Sequence, residues 1–153
     1  MASDELIAAV ATPPAAAGSI GIIRLSGSGI ERINRQLLDR PAVAGKICKR
    51  SFLAEDRSVV DQGVALLFAA PRSFTGEDVL ELQGHGGVAV VNRLLQRCLQ
   101  LGARVAGPGE FTRRAFANGK ISLEQAEGIA DLIGATTDRA AQLAAAAARA
   151  EVG

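Results

Sequence analysis

Apolar residues along this chain fall into short runs with two different periods. Leu6 to Ala11 is a continuous apolar run closed by Thr12-Pro13-Pro14, the pattern of a strand running into a loop. Ile20 to Leu25 (IGIIRL) is rich in β-branched residues and predicts a buried strand with one charge inside it, Arg24. Val64 to Phe68 (VALLF) is apolar on both alternating faces and predicts a central strand. Val79 to Gln83 (VLELQ) alternates, with Leu80 and Leu82 on one face and Val79, Glu81 and Gln83 on the other. Arg104 to Ala106 predicts a short edge strand, and Pro41 to Asp61 one or two short strands without a clear period.

Helical spacing accounts for the rest. Ile30, Ile33, Leu37 and Leu38 predict a helix ended by Asp39-Arg40-Pro41, with Ser28 and Glu31 as its capping box. Val88, Val91, Leu94, Leu95, Cys98 and Leu99 trace one face of a second helix, opposite Asn92, Arg93, Gln96 and Arg97, with Gly102 as its stop. Pro108-Gly109-Glu110 opens a third helix carrying Phe111, Ala115 and Phe116. Ser122 and Gln125 form a second capping box, followed by a stripe of Ala126, Ile129, Ala130 and Ile133. From Thr136 onward the chain is alanine-rich, a helix that is marginal alone and is expected to fray without packing partners. The expected fold class is α+β: a mixed β-sheet of roughly five or six strands with packed helices on one side. Residues 1–119 are read as one domain and residues 120–153 as the beginning of a helical one.

Composition narrows the function classes. The chain has 153 residues, 48% of them hydrophobic, and a net charge of +1, which excludes a disordered chain. Seventeen basic residues face sixteen acidic ones, so an electrostatically driven nucleic-acid binder is not expected. Five Phe, with no Tyr or Trp, make base-stacking platforms scarce. Two cysteines, Cys48 and Cys98, and one histidine, His85, do not supply a zinc site, and the expected metal set is none. Cys98 on an apolar stripe favours a reduced, buried thiol. The N-terminus has acids and no basic stretch, and no apolar run reaches the ~18 residues of a membrane span. A cytoplasmic location is expected.

Most routes to chemistry are closed. There is no GxxxxGK[ST], no GxGxxG and no GxSxG. Arg24 sits on the strand face of Ile20 and Ile22, where its plain reading is a stem reaching solvent. Glu81 sits between Leu80 and Leu82, where its plain reading is the solvated face of a sheet; the two could also pair with each other. Lys120 lies two residues before a helix N-cap, where a cation is disfavoured unless an anion joins it. Gly84-His85-Gly86-Gly87 reads as a tight strand-to-helix turn with an exposed histidine.

Four blocks together carry a resemblance. They are ATPP (Ala11 to Pro14), GIIRLSG (Gly21 to Gly27), SFTGEDVLELQGHGG (Ser73 to Gly87) and PGEFTRRAFANGKISLEQAEGIADLI (Pro108 to Ile133). They resemble the N-terminal domain of the MnmE/TrmE family of tRNA modification GTPases, from about Asp4 to Thr137. The resemblance implies a domain similar to the tetrahydrofolate-binding domain of aminomethyltransferases, which binds 5-formyl-tetrahydrofolate and makes the homodimer contact. It maps the folate contacts onto Arg24, Glu81 and Lys120. Full-length members add a helical domain and a GTPase domain that uses GTP, potassium and magnesium. They also end in a cysteine motif and work with an MnmG-type flavoprotein on the wobble uridine, position 34, of tRNA. This chain carries no GTPase motif, so GTP hydrolysis is not expected of it alone. AAAGS after ATPP and NGKIS near Lys120 depart from the commoner family patterns, the second without loss of the Ser122 cap. Two other readings compete: a purely structural dimerisation module with a degenerate pocket, and a direct tRNA-binding domain, which the near-neutral charge disfavours.

Overall fold

The computed structural model describes residues 4–11 and 20–129. The Thr12-Pro13-Pro14 turn, the AAAGS loop and everything expected from Ala130 onward lie outside the described residues. Six strands form one mixed sheet: β1 (Ile7–Val10), β2 (Ile20–Ser26), β3 (Ile47–Leu53), β4 (Val59–Phe68), β5 (Val79–His85) and β6 (Arg104–Val105), in the order β3-β4-β5-β2-β1-β6. All neighbours are antiparallel except β1 and β6. Three helices accompany them: α1 (Ile30–Gln36), α2 (Val88–Gln100) and α3 (Glu110–Ala117). Residues 123–129 begin a fourth. No helix among the described residues is long and apolar enough to cross a membrane.

Alternation decides the two faces of the sheet. Ala8, Ile23, Leu25, Ala65, Leu80 and Leu82 point to one face, where they meet Ile30, Ile33 and Leu37 around α1 and Leu94 and Cys98 of α2. Phe52 fills this layer with no exposed surface. The second face differs from the one-sided helix packing that the sequence predicts. There Ile7, Ser26 and Val79 are buried at one end beneath the 71–78 loop and α3, where Thr75 and Ala115 are buried too. The cover holds by polar bonds: Ser26 Oγ lies 2.7 Å from Thr75 Oγ1 and donates to Glu77 Oε1 at 2.7 Å.

Local chemistry explains the element ends. The Ser28–Glu31 capping box does not form; Gly29, at φ 97°, starts α1, and the Ser28 hydroxyl donates instead to Asp4 Oδ2 at 2.9 Å. Helix α1 ends at Gln36, because Leu38 bridges to Phe52 and Asp39 N–H donates to the Ser51 carbonyl. The second capping box forms reciprocally: Gln125 N–H donates to Ser122 Oγ at 3.1 Å, and Ser122 N–H to Gln125 Oε1 at 2.8 Å. The opaque stretch resolves into β3 and the first half of β4, a ten-residue strand of which the sequence pattern shows only the apolar end. Residues 38–43 run along the outer edge of β3, held by Asn34 to both backbone groups of Ala42 and by Arg50 to the Arg40 and Pro41 carbonyls. Both cysteines are free and buried, and burial pushes the Cys98 thiol up to about 12.

Phe52→Ala removes the largest fully buried side chain. It is expected to cost about 3–5 kcal/mol, read by urea denaturation as a lower midpoint with an unchanged slope.

Candidate functional site

The antiparallel register of β2 and β5 sets Arg24 directly opposite Glu81 on the second face of the sheet. Arg24 Nε donates to Glu81 Oε1 at 2.8 Å, with about a third of the Arg24 side chain exposed and Glu81 mostly covered. Above the pair lies α3, whose Phe111 ring centroid is 6.0 Å from the Arg24 guanidinium carbon, at the reach of a cation–π contact. On the flanks, Ala9 pairs with Arg24 and Leu66 with Glu81. Among the described residues, Glu81 Oε2 and both Arg24 Nη groups have no hydrogen-bond partner. The pair therefore keeps an acceptor and several donors available on an apolar floor.

Lys120 sits apart from that pair. Its Nζ donates to the Pro71 carbonyl at 3.0 Å, and its stem lies against Gly76, where an added Cβ would come within 3.3 Å of it. It belongs to the rim made by the 71–78 loop. Of the three residues that the resemblance singles out, the structure joins Arg24 to Glu81 and seats Lys120 on the loop that covers the same face.

Two polar groupings were not legible in the sequence. The first anchors the rim. Arg114, 6% exposed, donates to the Glu5 carbonyl at 2.7 Å, to Glu77 Oε1 at 3.0 Å and to Glu110 Oε2 at 3.3 Å. Arg104 reaches Glu110 with two nitrogens, at 2.8 and 2.6 Å, and Glu5 at 2.6 Å. Hydrogen bonding from Arg104 holds the Glu110 carboxyl down at about 2 from an ordinary 4.5. The only signal in the chain was a charge, Arg114, next to Ala115 on the buried side of α3.

The second grouping lies at the far end of β5. His85, read as a simple exposed turn residue, has a largely exposed ring that is nonetheless held: Nδ1 lies 2.6 Å from Asp61 Oδ1, and His85 N–H donates to Asp61 Oδ2 at 2.8 Å. Burial opposes the Asp61 charge, but these bonds outweigh it and keep the carboxyl below its usual range. Gly84 is required for this contact, since a Cβ there would overlap the Asp61 carboxylate. Among the described residues no three His, Cys, Asp or Glu side chains gather as a metal site.

Comparison with known proteins agrees with the motifs. The family profile described as "GTP-binding protein TrmE N-terminus" matches residues 6–120. Proteins named tRNA modification GTPase MnmE are similar over nearly the whole chain. The one from Nitrosomonas europaea is 56% identical over 147 residues, covering 94% of this chain and 32% of its own length. That from Azoarcus sp. is 54% identical over 140 residues, 92% and 31% respectively, and that from Neisseria meningitidis serogroup A is 53% identical over 138 residues, 90% and 31%. The chain spans about a third of the length of these curated relatives.

The Glu110 cluster gives a signed pH dependence. Its folded carboxyl titrates below the unfolded one, so its contribution is full above about pH 4.5 and is lost as pH falls toward about 2. Glu110→Gln should flatten the fall in stability across that window, measured by urea midpoints at successive pH values.

Proposed function

The chain belongs to the MnmE/TrmE family of tRNA modification GTPases, and on that premise we propose that it is the family's folate-binding and dimerisation module. Its ligand on this reading is 5-formyl-tetrahydrofolate, which supplies a one-carbon unit. The observation that carries the proposal is the Arg24–Glu81 pair on the half-covered face beneath Phe111. A reduced pterin presents an amine and a ring N–H along one edge. The Glu81 carboxylate can accept both, as charge-assisted hydrogen bonds, once Arg24 yields one oxygen. The donor set fits the group: a shielded carboxylate for the ring edge, guanidinium nitrogens for acceptor atoms, and a phenyl ring for the pterin plane. Lys120, on the rim, is a cation for the carboxylates of the folate tail.

Dimerisation is supported by large apolar side chains on the same face. Ile20 and Ile47 are 65% and 79% exposed there, an arrangement that burial against a second copy would relieve. In the whole protein, this part would serve a GTP-dependent modification of the wobble uridine, position 34, of tRNA, leading to a carboxymethylaminomethyl group and shared with an MnmG-type flavoprotein. Residues from 120 onward would open the helical domain, and GTP, potassium and magnesium would be bound by a GTPase domain beyond this chain. We propose a cytoplasmic location for it.

Calorimetric titration with 5-formyl-tetrahydrofolate tests the proposal. Glu81→Ala is expected to lose at least about tenfold in affinity, since hydrogen bonds to a charged group contribute about 1.5–3 kcal/mol, while light scattering still reports a dimer. An intact dimer with no heat from the unaltered chain would support the structural module with a degenerate pocket instead.

A further inference from the structure

Helix α3 ends in a closed turn that fixes the backbone of Lys120. Asn118 is the C-cap, and Gly119 follows at φ 71°, in the left-handed region. Gly119 N–H donates to the Phe116 carbonyl at 3.0 Å and Lys120 N–H to the Ala115 carbonyl at 2.8 Å. This pair of bonds is a Schellman motif, which engages carbonyls that a helix end leaves free.

The side chain of Asn118 ties that turn to the loop covering the second face. Its Nδ2 donates to the Thr75 carbonyl at 2.7 Å, and the Thr75 hydroxyl lies 2.7 Å from Ser26 Oγ. Ser26 commits its one proton to Glu77 Oε1, so Thr75 is the donor in the second bond. Ser26 and Thr75 have no exposed surface, and Ser26 follows Arg24 by two residues on the same face of β2. A relay of short bonds thus runs from the strand that carries Arg24 to the helix end that carries Lys120.

The Lys120 side chain is aimed as well as anchored. Its stem passes over Gly76, at φ 81°, where an added Cβ would come within 3.0 Å of Asn118 Cβ and 3.3 Å of Lys120 Cγ. Its Nζ meets the Pro71 carbonyl, and no carboxylate lies within ion-pair distance among the described residues. An ammonium has three donors, so two stay open at the rim. The plain reading is a cation favoured at a helix C-terminus. It accounts for the charge but not for the direction, because the side chain is held against the loop while the Ala115 and Phe116 carbonyls are engaged by backbone.

We propose that Asn118 and Gly76 are positioning residues that set how far Lys120 stands from the Arg24–Glu81 pair, so that the site selects its ligand by length. The inference rests on the reading of this site as a folate pocket, with Glu81 on the ring edge and Lys120 on the carboxylates of the tail. A ligand made of the ring alone meets one anchor. A ligand with the glutamate tail meets both, at the one spacing that the relay maintains. An untethered lysine would still attract a carboxylate, but would lose rotamer freedom on binding it. Asn118 brings no charge of its own, so its effect on the tail passes through Lys120.

Calorimetry with two ligands tests this: 5-formyl-tetrahydrofolate, and a 5-formyl-tetrahydropterin that lacks the glutamate tail. Asn118→Ala is expected to weaken the tailed ligand about three- to tenfold, the range of one ordinary hydrogen bond, and to leave the tail-free ligand unmoved. Gly76→Ala should act in the same way. In a Lys120→Gln background, Asn118→Ala should have no further effect. Asn118 is exposed, so its variant is expected to fold even if Gly76→Ala, strained at φ 81°, does not. Where the tail-free ligand binds too weakly to measure, the double-variant comparison decides. The proposal is overturned if Asn118→Ala weakens both ligands alike, leaves the tailed one unchanged, or still weakens it in the Lys120→Gln background. An unaltered chain that binds both ligands equally well keeps the pterin pocket and overturns this inference alone; one that binds neither overturns both.

Discussion

The register between β2 and β5 is the constraint on which everything else hangs. Seven residues of each strand pair in sequence, from Ile20 with His85 to Ser26 with Val79. A slip of β2 by one would turn Ile23 and Leu25 out of the core and drive Arg24 into it, on the face opposite Glu81. Burying that charge without a partner would cost several kcal/mol, so the apolar face holds the polar one in place. The guanidinium and the carboxylate oppose each other because the hydrophobic layer beneath them allows no other alignment.

The second face is covered by a different kind of contact. Arg114 joins the backbone before β1, the 71–78 loop and α3 through one guanidinium whose partners are all within 3.3 Å. A buried ion pair is seldom a large net source of stability, but removing one partner leaves a charge stranded. Such a cluster fixes geometry more than it adds stability. It sets where Phe111 lies over Arg24 and where Lys120 meets Pro71.

Much of this was legible in the chain. Strands with clean alternation, such as VLELQ, and helices with a full apolar stripe, such as the one through Cys98, lie where their period puts them. The resemblance pointed to Arg24 and Glu81, and their odd placement in apolar strands was visible without it. Capping was half legible: the Ser122–Gln125 box forms, whereas Ser28 is drawn off by Asp4, which lies 24 residues away. The first half of β4 was hidden because Asp61, Gln62 and Gly63 interrupt the apolar run, although Asp61 is buried for a partner that comes from another strand. Groupings such as Arg114 with Glu77 and Asp61 with His85 join residues 37 and 24 positions apart, and no local pattern marks them.

The segment laid along β3 has a consequence for assembly. Its bonds to Asn34 and Arg50 shield that margin of the sheet, and the opposite margin, β6, is two residues long with Arg104 committed to two glutamates. Among the described residues, neither side offers a long unpaired ladder onto which another strand could add. Two copies of this domain would thus have to meet broadside, through side chains rather than backbone, which leaves association to be tuned by substitutions that do not disturb the strands themselves.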